Sequence, residues 1–293
     1  MPVLSTSRLY KLDPRLRRRL SNLPGVKQRL TELYLENLDK YQSFLCRPEK
    51  RDCPILDSLN ETGTIVSTLT ALQFKETAKL RKCFSSLISD LDTIGINKDS
   101  IIELPQTRLV DYLDVFVWGL NERLLALVEN YIGLPVYYHG FSPFRGLGDG
   151  YVDHIRQWHL DVEDRRMIKL IVYLNDVDED GGCFQYFHRD VSGRIRQDAS
   201  YRSGYVSESD MLQHVPKDEW HSCIGPAETV VICDTANVFH RAKPPTARDR
   251  YSITFNYTSV QPTTICKGWN FSAESAELLS KTLSDRQKSC LPV

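Results

Sequence analysis

The stretch QWHLDVEDRR, Gln157 to Arg166, sets a histidine and an aspartate two residues apart, just ahead of a run of alternating apolar residues. Residues two apart on an extended strand point the same way, so His159 and Asp161 offer an imidazole nitrogen and a carboxylate to one side. Far along the chain, VVICDTANVFHRAKPPTARDRYSITFNY reads as a strand, a turn at Asp234, His240, a Pro-Pro loop and another strand. His240 supplies a third candidate ligand. Two imidazoles and one carboxylate on one face of a metal leave the opposite positions open, the facial triad that suits Fe(II) in oxygen activation. A structural zinc site is more often closed by four protein ligands, and only three are in sight. Arg250 lies ten residues beyond His240, with Ser252 two further on. A guanidinium and a hydroxyl so placed can clasp a carboxylate through paired hydrogen bonds. Metal and clamp together imply a small chelating acid that bridges them.

Strands must carry these groups. In RMIKLIVYLNDVDEDGG, Met167, Lys169, Ile171 and Tyr173 share one face, while Ile168, Leu170, Val172 and Leu174 share the other, and an acidic turn ends the run. If the alternation holds, Lys169 points inward as a second basic contact; otherwise it is a surface lysine. In the last strand Arg250, Ser252, Thr254 and Asn256 alternate with Tyr251, Ile253, Phe255 and Tyr257, as expected of a strand lining a cavity on its polar side. Arg248 shares the parity of Arg250 but lacks the following serine, so Arg250 is preferred. Trp158 faces away from His159 and is assigned to packing. Asp234 reads as a turn cap, and His139, His154, His214 and His221 as packing or surface residues. Arg145, Arg165, Arg166 and Arg189 are candidate substrate contacts, with solvated charge as the default reading for each. A second His-x-Asp, His188 to Asp190, opens a long polar stretch and is read as surface.

The amino-terminal part is helical. Leu30, Leu33, Tyr34, Leu38, Tyr41 and Leu45 recur at helical spacing, GTIVSTL (Gly63 to Leu69) is a short strand, and FKETAKLRKCFSSLISDLD is helix-like. NERLLALVENYIG is a further helix with Asn121 to cap its start and Gly133 to close its end. After Leu134, β-branched and aromatic runs take over. Helices first and strands afterwards predict a mainly β fold, a core wrapped by an amino-terminal helical layer. The expected organisation is one domain over 1–293. It comprises a mostly helical layer with an entry strand (1–134), a β core (135–262) containing a lid-like loop (188–222), and a carboxy-terminal tail helix (263–293).

Composition bounds the function. With 293 residues, 41% hydrophobic and 26% charged, the chain can bury a sizeable core, and a formal net charge of -1 gives no drive toward nucleic acid. No apolar run is long enough to span a bilayer, so no transmembrane segment is expected. Eight cysteines without any Cys-x-x-Cys read as reduced thiols of a cytoplasmic protein. Eight basic residues between Arg8 and Arg29 form either a solvated surface or a patch that docks a carrier or a lipid headgroup.

Taken together, these motifs resemble the Fe(II)- and 2-oxoglutarate-dependent dioxygenases, nearest to the phytanoyl-CoA dioxygenase-like branch. GTIVSTLTALQFKETAKL is similar to the branch's entry strand and helix. QWHLDVEDRRMIKLIVYLNDVDEDGGCFQYF is similar to its metal strand, core strand and turn, and DTANVFHRAKPPTARDRYSITFNY to its distal half. The resemblance implies a double-stranded β-helix, a cupin-like jelly roll. It implies that His159, Asp161 and His240 ligate Fe(II), that Arg250 and Ser252 hold 2-oxoglutarate with Lys169 assisting, and that O2 is consumed with release of succinate and CO2. Halogenases of the family replace the carboxylate ligand, so Asp161 favours hydroxylation or desaturation of a small-molecule or lipid-like substrate. An acyl thioester, an amino acid and a secondary metabolite all remain open. HRDVSGRIRQ departs from the Pro-Gly-Ser-His ending frequent in the branch, which leaves the substrate-facing loop open as well. Two other classes compete: a cupin-like metal-dependent hydrolase or isomerase, which needs no carboxylate clamp, and a non-catalytic jelly-roll binding protein, in which a triad position would be missing.

Overall fold

Alternation along the strands sets the layers. In β4 (Met167–Tyr173) the side chains of Ile168, Leu170 and Val172 enter one large apolar core, while Ile171 and Tyr173 turn to a second, smaller one. The computed structural model describes residues 23–95, 100–263 and 271–292. Its strands form two antiparallel sheets. The larger has the order β1 (Thr64–Thr68), β7 (Thr229–Cys233), β4, β9 (Arg250–Ser259), β3 (Val136–Gly146), β2 (Ile101–Glu103). The smaller has the order β6 (His221–Cys223), β5 (Phe184–Tyr186), β8 (His240–Ala242). Tyr173, Val231 and Cys233 of the first pack with Phe184, Tyr186 and Cys223 of the second, so the inner faces of the two sheets meet.

The outer face of the large sheet is covered by helices. These are α1 (Pro24–Tyr41), α2 (Cys53–Glu61), α3 (Phe84–Asp92), α4 (Leu113–Gly119) and α5 (Glu122–Ile132). Leu124, Leu127, Val128 and Tyr131 of α5 join Ile253, Phe255 and Tyr257 of β9 in the core. The Asn121 side chain accepts from the N–H groups of Arg123 and Leu124, capping α5 as expected, and Gly133 ends it at φ +82°. FKETAKLRKCFSSLISDLD divides into two helices, a short one at Thr77–Lys82 and α3. The tail likewise carries two, at Ala273–Thr282 and Asp285–Ser289. Helical residues outnumber strand residues among the described ones, so the fold is mixed rather than mainly β.

The polar stretch 188–222 is not the lid-like loop that its composition suggests. It contains α6 (Arg189–Asp198), α7 (Glu208–Met211) and β6. Val191, Ile195, Met211 and Val215 pack on Trp158, Phe187 and Phe239, covering the outer face of the small sheet. Arg189 is not solvated either: its guanidinium reaches Tyr131 and Asp234. Asp234 is fully buried and is the hub of a network rather than only a turn cap. Its Oδ2 accepts from Tyr131 Oη at 2.6 Å and Asn237 Nδ2 at 2.9 Å. The other arginines are also engaged. Arg145 pairs with Asp249 at 2.6 Å, Arg165 lies over the Tyr34 ring, and Arg166 donates to Tyr131 O at 2.8 Å. Of the basic stretch, residues 8–22 lie outside the described residues, while Arg29 pairs with Glu32 and Glu36 on α1. The seven described cysteines are unpaired thiols. No described helix is long and apolar enough to cross a membrane.

Asp164, three residues past Asp161, is buried and accepts from the N–H groups of Arg165 and Ser259, each at 2.7 Å. Burial raises its carboxyl to about 6, against the two hydrogen bonds. The unfolded group ionises near 3.9, so the folded chain holds the extra proton between these values. Stability therefore falls as pH rises from about 4 to 6. Asp164→Asn removes that slope. Relative to the parent, the variant is expected to gain about 2 kcal/mol between pH 4 and 7.5, measured by urea unfolding at both.

Candidate metal centre

His159 and His240 come together because their strands pair. His159 N donates to His240 O and His240 N to His159 O, both at 3.1 Å, extending the small sheet by one bridge beyond β8. The imidazole centroids lie 4.3 Å apart. Asp161, two residues on, is fixed by its N–H on Thr235 O at 2.9 Å. Its Oδ1 lies 3.8 Å from His159 Nε2 and its Oδ2 3.8 Å from His240 Nε2. One ligand atom from each of the three falls within 4.8 Å of the others.

Each ring is held from behind by its own strand. His159 Nδ1 is 2.9 Å from Gln157 O, and His240 Nδ1 is 2.9 Å from Val238 O. A carbonyl only accepts, so both Nδ1 atoms carry the proton and both Nε2 lone pairs face the centre. Burial lowers the pKa of His159, and lowers that of His240 to about 3, leaving both rings neutral near pH 7. Burial alone would raise Asp161, but the Lys169 ammonium beside it acts the other way and keeps the carboxylate ionised. The donor set therefore fits a divalent cation: two neutral imidazoles, one carboxylate, and nothing among the described residues to close a fourth position.

Lys169 does point inward, yet its ammonium stands 2.6 Å from Asp161 Oδ2. The polar face of β9 also turns inward, since Tyr251, Ile253, Phe255 and Tyr257 belong to the helix-covered core. Ser252, buried, pairs in register with Tyr173 of β4 and Phe144 of β3. Arg250 donates through Nη1 to Gly182 O, while its Nε is buried without a hydrogen-bond partner. An orphaned guanidinium donor beside the triad's sheet is what an absent acid would satisfy. Arg248 instead pairs with Asp178 at the surface.

Three neighbours were not foreseen. Phe184 stacks on the His240 ring at 5.5 Å, the half-exposed Tyr205 lies 5.3 Å from the His159 ring, and Gly182 supports Arg250. Only Gly182 left a readable mark, in the Gly-Gly turn. Trp158 is buried against Phe187 as expected, and His188 stacks on His221 at 4.0 Å instead of standing free on the surface. Gly182 has φ +75°, and a Cβ there would sit 2.5 Å from Pro245 Cγ and 2.7 Å from Lys243 O. Gly182→Ala is expected to cost about 1–3 kcal/mol, read from the urea midpoint.

No family model and no curated protein matches the sequence. Solved structures do. EctD from S. alaskensis, with 2-oxoglutarate and 5-hydroxyectoine, aligns at a TM-score of 0.50 and 19% identity, over 75% of this chain and 79% of that one. The chain has the EctD fold. HygX from Streptomyces hygroscopicus, with nickel, 2-oxoglutarate and hygromycin B bound, gives 0.49 and 18% over 72% and 88%. The non-haem α-ketoglutarate-dependent epimerase SnoN from nogalamycin biosynthesis gives 0.46 and 13% over 72% and 84%. The resemblance drawn from the sequence is thus matched at the level of fold, and none of these structures bears on the phytanoyl-CoA branch.

Proposed function

We propose that this protein is an Fe(II)- and 2-oxoglutarate-dependent oxygenase that hydroxylates a small molecule, its two sheets forming a double-stranded β-helix within a single domain. The observation that carries the reading is the coincidence of two unfinished sites, the triad at the edge of the small sheet and Arg250 on the inward polar face of β9 in the large one. The triad offers three ligand atoms with no fourth, and Arg250 offers a buried donor with no acceptor. A cupin-like hydrolase would have no use for the second, and a binding module none for an open metal face.

In this reading His159, Asp161 and His240 hold Fe(II), and Arg250 with Ser252 receives the far carboxylate of 2-oxoglutarate. The bound ion with its co-substrate supplies O2 activation, with succinate and CO2 released. The chain's own part is positional. Gln157 O and Val238 O keep the imidazoles in the tautomer that presents Nε2. Tyr173, Phe184, Val231 and Val238 pack in one buried apolar cluster, and Phe184 stacks on the His240 ring. Asp161 occupies the ligand position that a halogenase would leave open for chloride, which supports oxygen insertion. EctD is solved with 5-hydroxyectoine, which supports a small-molecule substrate.

The test is anaerobic loading with Fe(II) and 2-oxoglutarate, exposure to air with a cell extract, and mass spectrometry for succinate and for a metabolite heavier by one oxygen. Succinate that needs neither Fe(II) nor O2 would sink the assignment. A product lighter by two hydrogens would replace hydroxylation by desaturation.

A further inference from the structure

Lys169 has two conceivable tasks in the proposed centre, as a second anchor for the co-substrate or as a partner of the protein's own carboxylate. Geometry separates them. On β4, Lys169 is flanked in register by Cys233 of β7 and Asn256 of β9, neither of which offers a negative charge. Burial holds the Cys233 thiol well above its usual range, hence protonated. The carboxylate in contact with the ammonium is Asp161, at 2.6 Å from Oδ2, the same oxygen that lies 3.8 Å from His240 Nε2. Asp161 Oδ2 is otherwise a buried acceptor with no hydrogen bond. The one carboxylate of the metal-free triad thus has the Lys169 ammonium as its direct cationic partner.

We infer that Lys169 is a positioning residue that holds Asp161 in place of the metal, and that a divalent cation binds by displacing the ammonium's claim on Oδ2. This rests on the triad being a metal centre. The charge count then fixes the signs. Without metal, Asp161 and Lys169 sum to zero; a divalent ion raises the sum to plus two, so Lys169 opposes metal entry while it stabilises the empty site. Removing the ammonium reverses both effects. It leaves a buried carboxylate unpaired in the metal-free protein and lifts the repulsion against an incoming cation. A co-substrate anchor predicts neither.

The experiment uses Mn2+ alone as probe, titrated into the chelator-stripped full chain, with thermal midpoints recorded with and without metal. Lys169→Gln is expected to bind Mn2+ at least about tenfold more tightly than the parent. Its metal-free midpoint should fall by about 3 °C or more and recover on saturation with Mn2+. Lys169→Arg, which keeps the charge, is expected to retain parental affinity. Lys169→Gln affinity equal to or weaker than the parent's would overturn the inference. Should Lys169→Gln not fold, Asp161→Asn and the double variant with Lys169→Met give the same contrast without metal. The double variant should melt above Asp161→Asn alone, and a lower or equal midpoint overturns the inference. His240→Ala keeps the two readings apart. If it binds Mn2+ as the parent does, the metal centre itself is misassigned; if it does not, yet Lys169→Gln gains nothing, only the role of Lys169 falls.

Discussion

His240→Ala is expected to lower Fe(II)-dependent succinate formation by about a thousandfold or more, to the level without enzyme, while the chain stays folded. The size follows from what is lost. Removing groups that merely orient a ligand costs about 10–100-fold in affinity or activity, and this change removes the ligand itself. Two donors remain, His159 and Asp161, and they are neighbours on one strand, so nothing from the opposite strand closes the site. The fold survives because the pairing of the two strands is made by backbone, through the reciprocal 3.1 Å bonds between residues 159 and 240, which alanine keeps. Two assays check it: Mn2+ binding to the chelator-stripped protein and succinate by mass spectrometry. Parental Mn2+ affinity in the variant would show that His240 is a packed core histidine, its ring stacked on Phe184 for structural reasons alone.

Why the triad could be read before the fold was known is a matter of periodicity. His159 and Asp161 need only an extended strand to share a side, and β4 and β9 are long enough, at seven and ten residues, for alternation to declare two faces. Lys169, Arg250 and Ser252 inherit their inward direction from that alternation. The same logic fails for β5, β6 and β8, which are three residues each and too short to show a period. It fails for α6 as well. RDVSGRIRQD buries only Val191, Ser192 and Ile195, so its apolar stripe is two side chains wide and interrupted by Gly193. What holds α6 is the aromatic surface of Trp158, Phe187 and Phe239, supplied by strands far away in sequence. Composition reported polarity correctly and packing not at all.

Charges were the least legible feature. Arg189, Arg145 and Arg166 read as solvated because sequence carries no signal for a partner 45, 104 or 35 residues away. Asp234 shows the same limit. Its place at a strand end was visible, but the convergence of Tyr131, Asn237 and Arg189 on its carboxylate belongs to the assembled core. The pairing of Lys169 with Asp161 is another case. Parity placed both inside, and only geometry joined them.

Arg250→Ala is expected to raise the KM for 2-oxoglutarate by about a hundredfold or more, with a smaller fall in kcat. Truncating one partner of a buried, hydrogen-bonded charge pair costs about 2–5 kcal/mol, and here the partner left behind is the co-substrate's own carboxylate. Arg250→Lys should recover little of this. An ammonium restores the charge but not the planar fork, and it cannot hold Gly182 O and a carboxylate in one fixed geometry. Stability moves differently from activity. The groups acting on the guanidinium are Tyr173, Cys183 and Arg156 rather than a carboxylate, and burial lowers its pKa, so the co-substrate-free protein carries this charge without a counter-ion. Arg250→Ala should therefore leave the thermal midpoint unlowered, and saturating 2-oxoglutarate should raise the midpoint of the metal-loaded parent but not of the variant. Steady-state kinetics in 2-oxoglutarate and the two melting curves decide the matter. An unchanged KM with a reduced kcat would place the far carboxylate elsewhere and leave Arg250 as a brace for the turn at Gly182.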